Sequence, residues 1–159
     1  MLKVFCSPAR YVQGRQATAM LPKEMNRLGW SGISLFIVSR SARSLLESEW
    51  ASAFQNHGEG LEYRIIDFGG ECSGSEIERC MQEAQRVGAS SITGVGGGKA
   101  LDTARAVASA MDVPVACCPT TAASDAPCSA LSVIYTPEGV FEKCQFYKRN
   151  PDLILVDTT

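Results

Sequence analysis

The sequence predicts an α/β protein with a doubly wound, Rossmann-like parallel sheet. Three observations support this prediction. Short apolar runs alternate with amphipathic segments of helical length over most of the chain. The run at residues 34–39 is apolar between polar ends, which is typical of a strand buried on both faces of a parallel sheet. Finally, three consecutive glycines at residues 96–98 separate a strand-like run from a helix-like one.

Five strands and four helices alternate in the first part of the chain. The predicted strands are residues 4–6, 34–39, 61–67, 91–95 and 113–118. The predicted helices are residues 16–28, 42–56, a segment from Ser73 or Ser75 to Gly88, and 99–111. Apolar residues at helical spacing define the helices, and short apolar runs bounded by polar residues or glycines define the strands. This order predicts parallel strands with helices on both faces.

Local signals mark several boundaries. Residues 11–14 are a turn or a short extended piece, and Pro22 is the weak point of the first helix. Ser75 and Glu78 fit a capping box at the start of the third helix. His57, the only histidine, follows the second helix in a polar stretch and is predicted to be a surface loop residue.

The pattern changes in the last quarter of the chain. Residues 119–128 form a loop of small and hydroxyl-bearing residues. Residues 130–135 and 140–144 are predicted as an added β-hairpin, because turn-forming residues connect two strand-like runs. Residues 153–156 are the last predicted strand.

The composition limits the kind of protein. A length of 159 residues predicts a single domain over residues 1–159. The net charge of −2, without a basic stripe, argues against nucleic acid as a partner. No apolar run reaches the roughly 18–20 residues of a membrane span, and the N-terminal residues lack a signal peptide's apolar core. Seven cysteines without a C-x-x-C pair predict free thiols and a cytoplasmic protein.

The glycine turn at residues 96–98 is the strongest functional signal. Residues without a Cβ let a ligand or another backbone come close, and the helix that follows offers unpaired N–H groups to an anion such as phosphate. The turn is not a Walker A loop, because Thr93 and Ala100 replace its first glycine and its hydroxyl residue. It is not a G-x-G-x-x-G fingerprint, because Lys99 takes the third glycine position. The simpler alternative is a tight turn that holds no ligand.

Residues 94–102 and 119–136 carry a family resemblance. The first segment reads Gly-Val-Gly-Gly-Gly-Lys-Ala-Leu-Asp, and the second begins Pro-Thr-Thr-Ala-Ala-Ser-Asp-Ala-Pro-Cys. With these segments the chain resembles the N-terminal domain of the glycerol dehydrogenases, in the iron-containing (group III) alcohol dehydrogenase family. The resemblance implies NAD-dependent oxidation of glycerol to dihydroxyacetone. It also implies a second, all-helical domain, which holds a catalytic zinc through one Asp and two His.

The resemblance assigns roles to particular positions. It implies that Gly96, Gly97 and Gly98 hold the cofactor pyrophosphate with Lys99 beside it, that Thr120 contacts the adenine side, and that Ser129, Leu131, Val133 and Tyr135 line the nicotinamide and ribose site. Asp125 would face glycerol near the metal. On the residues alone, Asp125 also suits an Asx turn, and Val133 and Tyr135 also suit core positions of the hairpin.

The pair Ser39-Arg40 departs from the family pattern. NAD users of the family commonly have Gly-Asp there, and the carboxylate binds the adenosine ribose hydroxyls. Arg40 cannot accept those hydrogen bonds but can pair with a 2′-phosphate, which predicts weaker preference for NAD and tolerance of NADP. A solvent-facing arginine is the alternative. Ala123 stands where the family often has a hydroxyl residue, so one hydrogen bond to the nucleotide is expected to be missing.

One histidine cannot supply a catalytic zinc site, which usually takes three protein ligands. The helical domain with its zinc ligands is absent from this sequence, so we expect binding of a dinucleotide and a small polyol with little or no turnover.

The alternatives are a non-catalytic nucleotide-binding or interaction module from the same family, and a relative acting on other polyols or glycerol phosphate. An open cleft face, with Tyr135 and Phe141 exposed, predicts self-association or a partner chain.

Overall fold

The computed structural model describes residues 2–3, 5–122 and 125–159. The strands are β1 (Arg10–Gly14), β2 (Gly32–Val38), β3 (Leu61–Asp67), β4 (Ala89–Gly96), β5 (Val115–Pro119), β6 (Leu131–Tyr135), β7 (Phe141–Phe146) and β8 (Leu153–Asp157). The helices are α1 (Leu21–Arg27), α2 (Arg40–His57), α3 (Gly74–Val87) and α4 (Gly98–Met111), with a 3₁₀ turn at Ala17–Met20. Within the described ranges, no helix is both long and apolar enough to cross a membrane.

Six strands form one parallel sheet in the order β1-β8-β5-β4-β2-β3, and β6 pairs with β7 as a separate antiparallel hairpin. This arrangement confirms the predicted doubly wound sheet with an added hairpin. Because the strands are parallel, their carboxyl ends lie at the same edge. The chain leaves β2 in one direction, toward β3, and leaves β4 in the other, toward β5, so a crevice opens at this edge between β2 and β4.

The helices cover both faces of the sheet. On the first, here called the α2 face, α1 and α2 pack over Phe36 and Val38, and Trp50 meets the Phe36 ring edge-on at 5.4 Å between centroids. On the second, the α4 face, α3 and α4 pack over Leu35 and Ile37. Alternate residues from Leu35 to Val38 therefore pack into the cores on opposite faces of the sheet, which is why this part of β2 is apolar throughout.

The first strand and the first helix differ from the prediction. Phe5 and Cys6 are not in a strand, and Val4 lies outside the described residues. The first strand is instead β1, in the stretch predicted as a turn or extended piece, and its only recorded partner in the described sheet is β8, at the other end of the chain. The predicted helix 16–28 is divided into the 3₁₀ turn and α1. Pro22 lies in the first turn of α1, where a missing N–H is tolerated.

Two helix ends also differ from the prediction. Ser73 caps α3, accepting a hydrogen bond at Oγ from the Glu76 N–H at 3.3 Å, so the predicted capping box at Ser75 is wrong. The Glu76 carboxylate accepts from the Gly69 N–H at 2.8 Å instead of closing a box. His57 is exposed as predicted, but it is the last residue of α2 rather than part of a loop.

Gly94 in β4 allows α4 to lie close to the sheet. A Cβ built at Gly94 would be 2.7 Å from the Ala104 Cβ and 3.3 Å from Leu101 Cδ2. Neither neighbour can move away freely, because both belong to the buried core between α4 and the sheet. The separation of α4 from β4 is therefore set by the absence of a side chain at one residue.

We expect Gly94→Ala to destabilise the fold by about 1–3 kcal/mol, because the added methyl group overpacks this contact. The matched control is Gly74→Ala at the start of α3, where a Cβ meets no atom of the described residues within 4 Å. That variant should stay within about 0.5 kcal/mol of the parent. Urea unfolding of the three proteins measures both effects, and equal stability of the two variants would contradict the packing argument.

Candidate functional site

The glycine turn lies at the carboxyl end of β4, beside the crevice. Gly96 has a φ of 148°, and a Cβ there would be 3.1 Å from both the Ala100 and the Ser39 Cβ atoms, so the protein itself requires a glycine. The other two glycines differ. Among the described residues, a Cβ at Gly97 would meet nothing within 4 Å, and one at Gly98 would meet only the Ala126 Cβ at 3.6 Å. Their missing side chains leave open space beside the backbone.

That open space lies at the start of α4. No side chain of the described residues caps this helix, whose N-cap residue is Gly97. The Thr120 N–H donates to the Gly96 carbonyl at 3.0 Å, which fixes the end of β5 against the turn. Uncapped N–H groups at a helix start, next to glycines that leave room for a ligand, form a suitable cradle for an anionic group.

A cleft of about 830 Å³ opens on the α2 face at the same edge. Its walls are the first three turns of α2, the carboxyl ends of β4, β5 and β8, and the 3₁₀ turn. We call it the α2 cleft; its lining includes Thr18, Ser41, Ala42, Leu45, Leu46, Glu49, Val95, Thr120, Thr121, Leu155 and Asp157. Most of these side chains are apolar or carry hydroxyl groups, so the cleft can accept a flat, partly polar ligand.

Asp157 shapes the floor of the α2 cleft. Its carboxylate accepts hydrogen bonds from the N–H groups of Thr18 at 2.9 Å, Gln16 at 3.1 Å and Thr159 at 3.0 Å. Partial burial opposes ionisation, but these donors outweigh it and lower the Asp157 pKa to about 2. The carboxylate is therefore ionised and already well supplied with donors from the backbone.

On the α4 face the hairpin is attached to α4 through Asp102. One Asp102 carboxylate oxygen accepts from the Val133 N–H at 3.1 Å, and the Asp102 carbonyl accepts from the Ser132 hydroxyl at 2.8 Å. The same carboxylate pairs with buried Arg105. Burial raises the Asp102 pKa and outweighs the opposing charge of Arg105. Sequence reasoning missed this residue, because Asp102 stands between Lys99, Thr103 and Arg105 in a helical segment where an acid is ordinary.

The outer face of β6 carries three of the predicted site residues. Leu131, Val133 and Tyr135 are half-buried and alternate with buried Ser132 and Ile134. Ser132 and Ile134 are the buried residues of β6, so Val133 and Tyr135 occupy its more accessible face. Ser129, just before the strand, is also half-buried.

Lys99 does not point freely into solvent at the glycine turn. Its Nζ is 2.7 Å from the Glu71 Oε2 and 4.8 Å from the centroid of the Tyr135 ring. The hydrogen bond to Glu71 raises the Lys99 pKa, so the ammonium stays charged. Glu71 lies just after β3 and was missed by the sequence prediction, since nothing local marks it as a partner of a residue beyond the next helix.

Asp125 and Arg40 are both exposed. The Asp125 carbonyl accepts from the Cys128 N–H at 2.9 Å, which forms a backbone turn, and no described residue donates to its carboxylate. Arg40 is the first residue of α2, directly after the N-cap Ser39, and therefore lies at the crevice between β2 and β4. Ala123, where a missing hydrogen bond was expected, lies outside the described residues.

The predicted residues thus occupy three connected places. Thr120 lines the α2 cleft, and Arg40 lies next to the cleft at the start of α2. The glycine turn lies at the carboxyl edge of the sheet. The β6 residues lie on the other side of α4. Among the described residues, no group of three or more His, Cys, Asp or Glu side chains is placed to hold a metal ion. His57 is at the end of α2, near the opposite edge of the sheet.

The hairpin also exposes apolar side chains. Phe141 is exposed as predicted, together with Val140 and Phe146, at 59%, 62% and 76% of their surface. Tyr135 is half-buried beneath Lys99, so the prediction that it is exposed is wrong.

Comparison with known proteins places this geometry in a family. The family model for iron-containing alcohol dehydrogenases matches residues 8–158. The glycerol dehydrogenase of Escherichia coli O6:H1 is 42% identical over 99% of this chain and 42% of its own length. That of Pseudomonas putida is 44% identical over 96% of this chain and 40% of its own. The structure of a probable glycerol dehydrogenase from Sinorhizobium meliloti 1021 is 36% identical, with a TM-score of 0.88 over 99% of this chain and 41% of that one. The chain spans about 40% of these relatives.

Proposed function

The chain belongs to the iron-containing alcohol dehydrogenase family, and from that premise we propose that residues 1–159 are the dinucleotide-binding domain of a glycerol dehydrogenase-like oxidoreductase. The observation that carries the proposal is the open space at Gly97 and Gly98 beside the uncapped start of α4. The proposed reaction is oxidation of glycerol to dihydroxyacetone, with the nicotinamide of NAD accepting the hydride.

The proposed cofactor crosses the carboxyl edge of the sheet. Its pyrophosphate would lie on the glycine turn, with the N–H groups at the start of α4 facing the phosphate oxygens. Its adenosine half would enter the α2 cleft beside Thr120, and its nicotinamide half would lie toward the outer face of β6. This arrangement is supported by the position of the turn between the two faces. It uses the crevice that doubly wound folds offer to such ligands.

On the substrate side, the chain's own residues orient rather than react. Leu131, Val133 and Tyr135 would present an accessible face to the nicotinamide ring and its ribose, together with Ser129. Asp125, whose carboxylate receives no hydrogen bond from the described residues, would accept one from a glycerol hydroxyl. Lys99 would contribute positive charge between the two halves while Glu71 holds it. The described residues offer no set of ligands that fits a metal ion.

The glycine turn can be tested with small substitutions, because the described residues leave room for a methyl group at both open positions. We expect Gly97→Ala and Gly98→Ala to weaken NAD binding at least tenfold, about 1.4 kcal/mol or more, by blocking the approach of the pyrophosphate. Isothermal titration measures the affinity, and thermal unfolding checks the fold. Gly74→Ala at the start of α3, where a Cβ also meets no atom of the described residues within 4 Å, is the control for adding a methyl group to an open glycine. Unchanged affinity in both turn variants would argue against the proposed cofactor site.

Cofactor choice is tested at Arg40. We propose that its guanidinium pairs with the 2′-phosphate of NADP, so Arg40→Ala should weaken NADP binding by about tenfold or more and leave NAD binding nearly unchanged. The control is Arg43→Ala on the next turn of α2, where the arginine already pairs with Glu47 and Asp67. Titrations of both cofactors provide the comparison. A clear preference for NAD that Arg40→Ala leaves intact would refute this role.

We also propose that residues 1–159 bind the dinucleotide without oxidising glycerol. The proposal rests on the single histidine of the sequence, since polarising an alcohol in this way calls for a metal with several protein ligands. Purified chain supplied with glycerol and NAD, with and without added zinc, should give no NADH absorbance above the protein-free control. Glycerol-dependent NADH formation would overturn this proposal and leave the binding proposal standing.

A further inference from the structure

Two acids, Glu49 and Asp157, are the charged side chains among the described residues that line the α2 cleft. No basic side chain accompanies them in that lining, so the cleft disfavours phosphate groups and favours groups that donate hydrogen bonds. A dinucleotide entering it would therefore place its base inside and keep its phosphates at the glycine turn.

The two acids are not equivalent. Asp157 receives hydrogen bonds from three backbone N–H groups, as described above. Glu49 receives none from any described residue and forms no ion pair with one. Burial, and secondly the nearby charge of Asp157, raise the Glu49 pKa. Of the two carboxylates in the cleft, Glu49 is thus the one that accepts no hydrogen bond from the described residues.

The surroundings of Glu49 suit a flat ring. Leu45 and Leu46 lie on the preceding turn of α2 and line the same cleft, and Leu45 is 77% exposed. Val95 and Leu155 line it from the sheet. A base inserted between these apolar walls would bury its faces and turn an edge toward the carboxylate. Adenine offers an exocyclic amine on its edge, a donor for which a carboxylate is a strong acceptor.

We propose that Glu49 is a specificity-determining residue that accepts a hydrogen bond from the exocyclic amine of the adenine base. This inference rests on the proposed function, because it assumes that the adenosine half of the cofactor occupies the α2 cleft. Hypoxanthine has a carbonyl oxygen in place of the amine, and that oxygen would face the carboxylate with no donor between them.

The test compares NAD with nicotinamide hypoxanthine dinucleotide, in which a carbonyl oxygen replaces the exocyclic amine and ring N1 carries a hydrogen. Both are titrated into the parent chain, Glu49→Gln and Glu47→Gln at a pH of about 7.5. Glu47→Gln is the matched control, since Glu47 is on the same helix, is exposed and pairs with Arg43. We expect the parent and Glu47→Gln to bind NAD about tenfold more tightly than its hypoxanthine analogue. In Glu49→Gln the ratio should fall to about twofold, because an amide can donate to the carbonyl as well as accept from the amine.

The outcomes separate this inference from the proposed function. Equal binding of both dinucleotides to the parent overturns the role of Glu49 and leaves dinucleotide binding intact. A parent that binds neither overturns the proposed function and this inference with it. A Glu49→Gln variant that weakens both ligands equally at an unchanged ratio shows a purely structural role and also overturns the inference. Thermal unfolding of each variant confirms that the measured ratios belong to folded protein.

Discussion

The candidate site depends on the close packing of α4 against β4. Glycine inside a strand costs about 0.5–1 kcal/mol of stability relative to alanine, so its presence at residue 94 is explained by the contact that it permits with Ala104. Because α4 lies this close to the sheet, its first turn begins directly at the strand's carboxyl end. The open glycines therefore reach the sheet edge, beside the crevice between β2 and β4, where an extended ligand can pass from one face of the sheet to the other.

The same helix determines where the hairpin lies. Asp102 binds β6 through the Val133 N–H and pairs with Arg105. Removing one partner of a buried ion pair typically costs about 3–5 kcal/mol, whereas replacing both partners with apolar residues is often neutral. The pair is thus better understood as fixing the position of β6 than as a source of stability. This matters for the hairpin, since all but one of the β7 residues are exposed and contribute little burial.

The sequence was sufficient for the parallel sheet, because each strand carries its own pattern of apolar residues. The predicted bounds of β3 agree with the structure, and the glycine turn follows β4 as expected. It was not sufficient for β1, whose extended residues become a strand only through pairing with β8 at the far end of the chain. The same limit applies to the site. Glu71, Asp102 and Glu49 are ordinary acids in the sequence, and only the fold brings them to Lys99, Val133 and the α2 cleft.

In this proposal, the choice between NAD and NADP depends on where the charged side chains lie relative to the α2 cleft rather than on their total charge. Arg40 does not line the α2 cleft, whereas Glu49 and Asp157 do. A 2′-phosphate inside the cleft would be repelled by two carboxylates, but one held at its mouth would meet Arg40 and the N-terminus of α2, both of which favour an anion. The two opposing charges act on different parts of the same nucleotide, the base and the ribose. The proposed role of Arg40 toward NADP and that of Glu49 toward adenine are therefore compatible, provided that the ribose remains at the entrance while the base is inside.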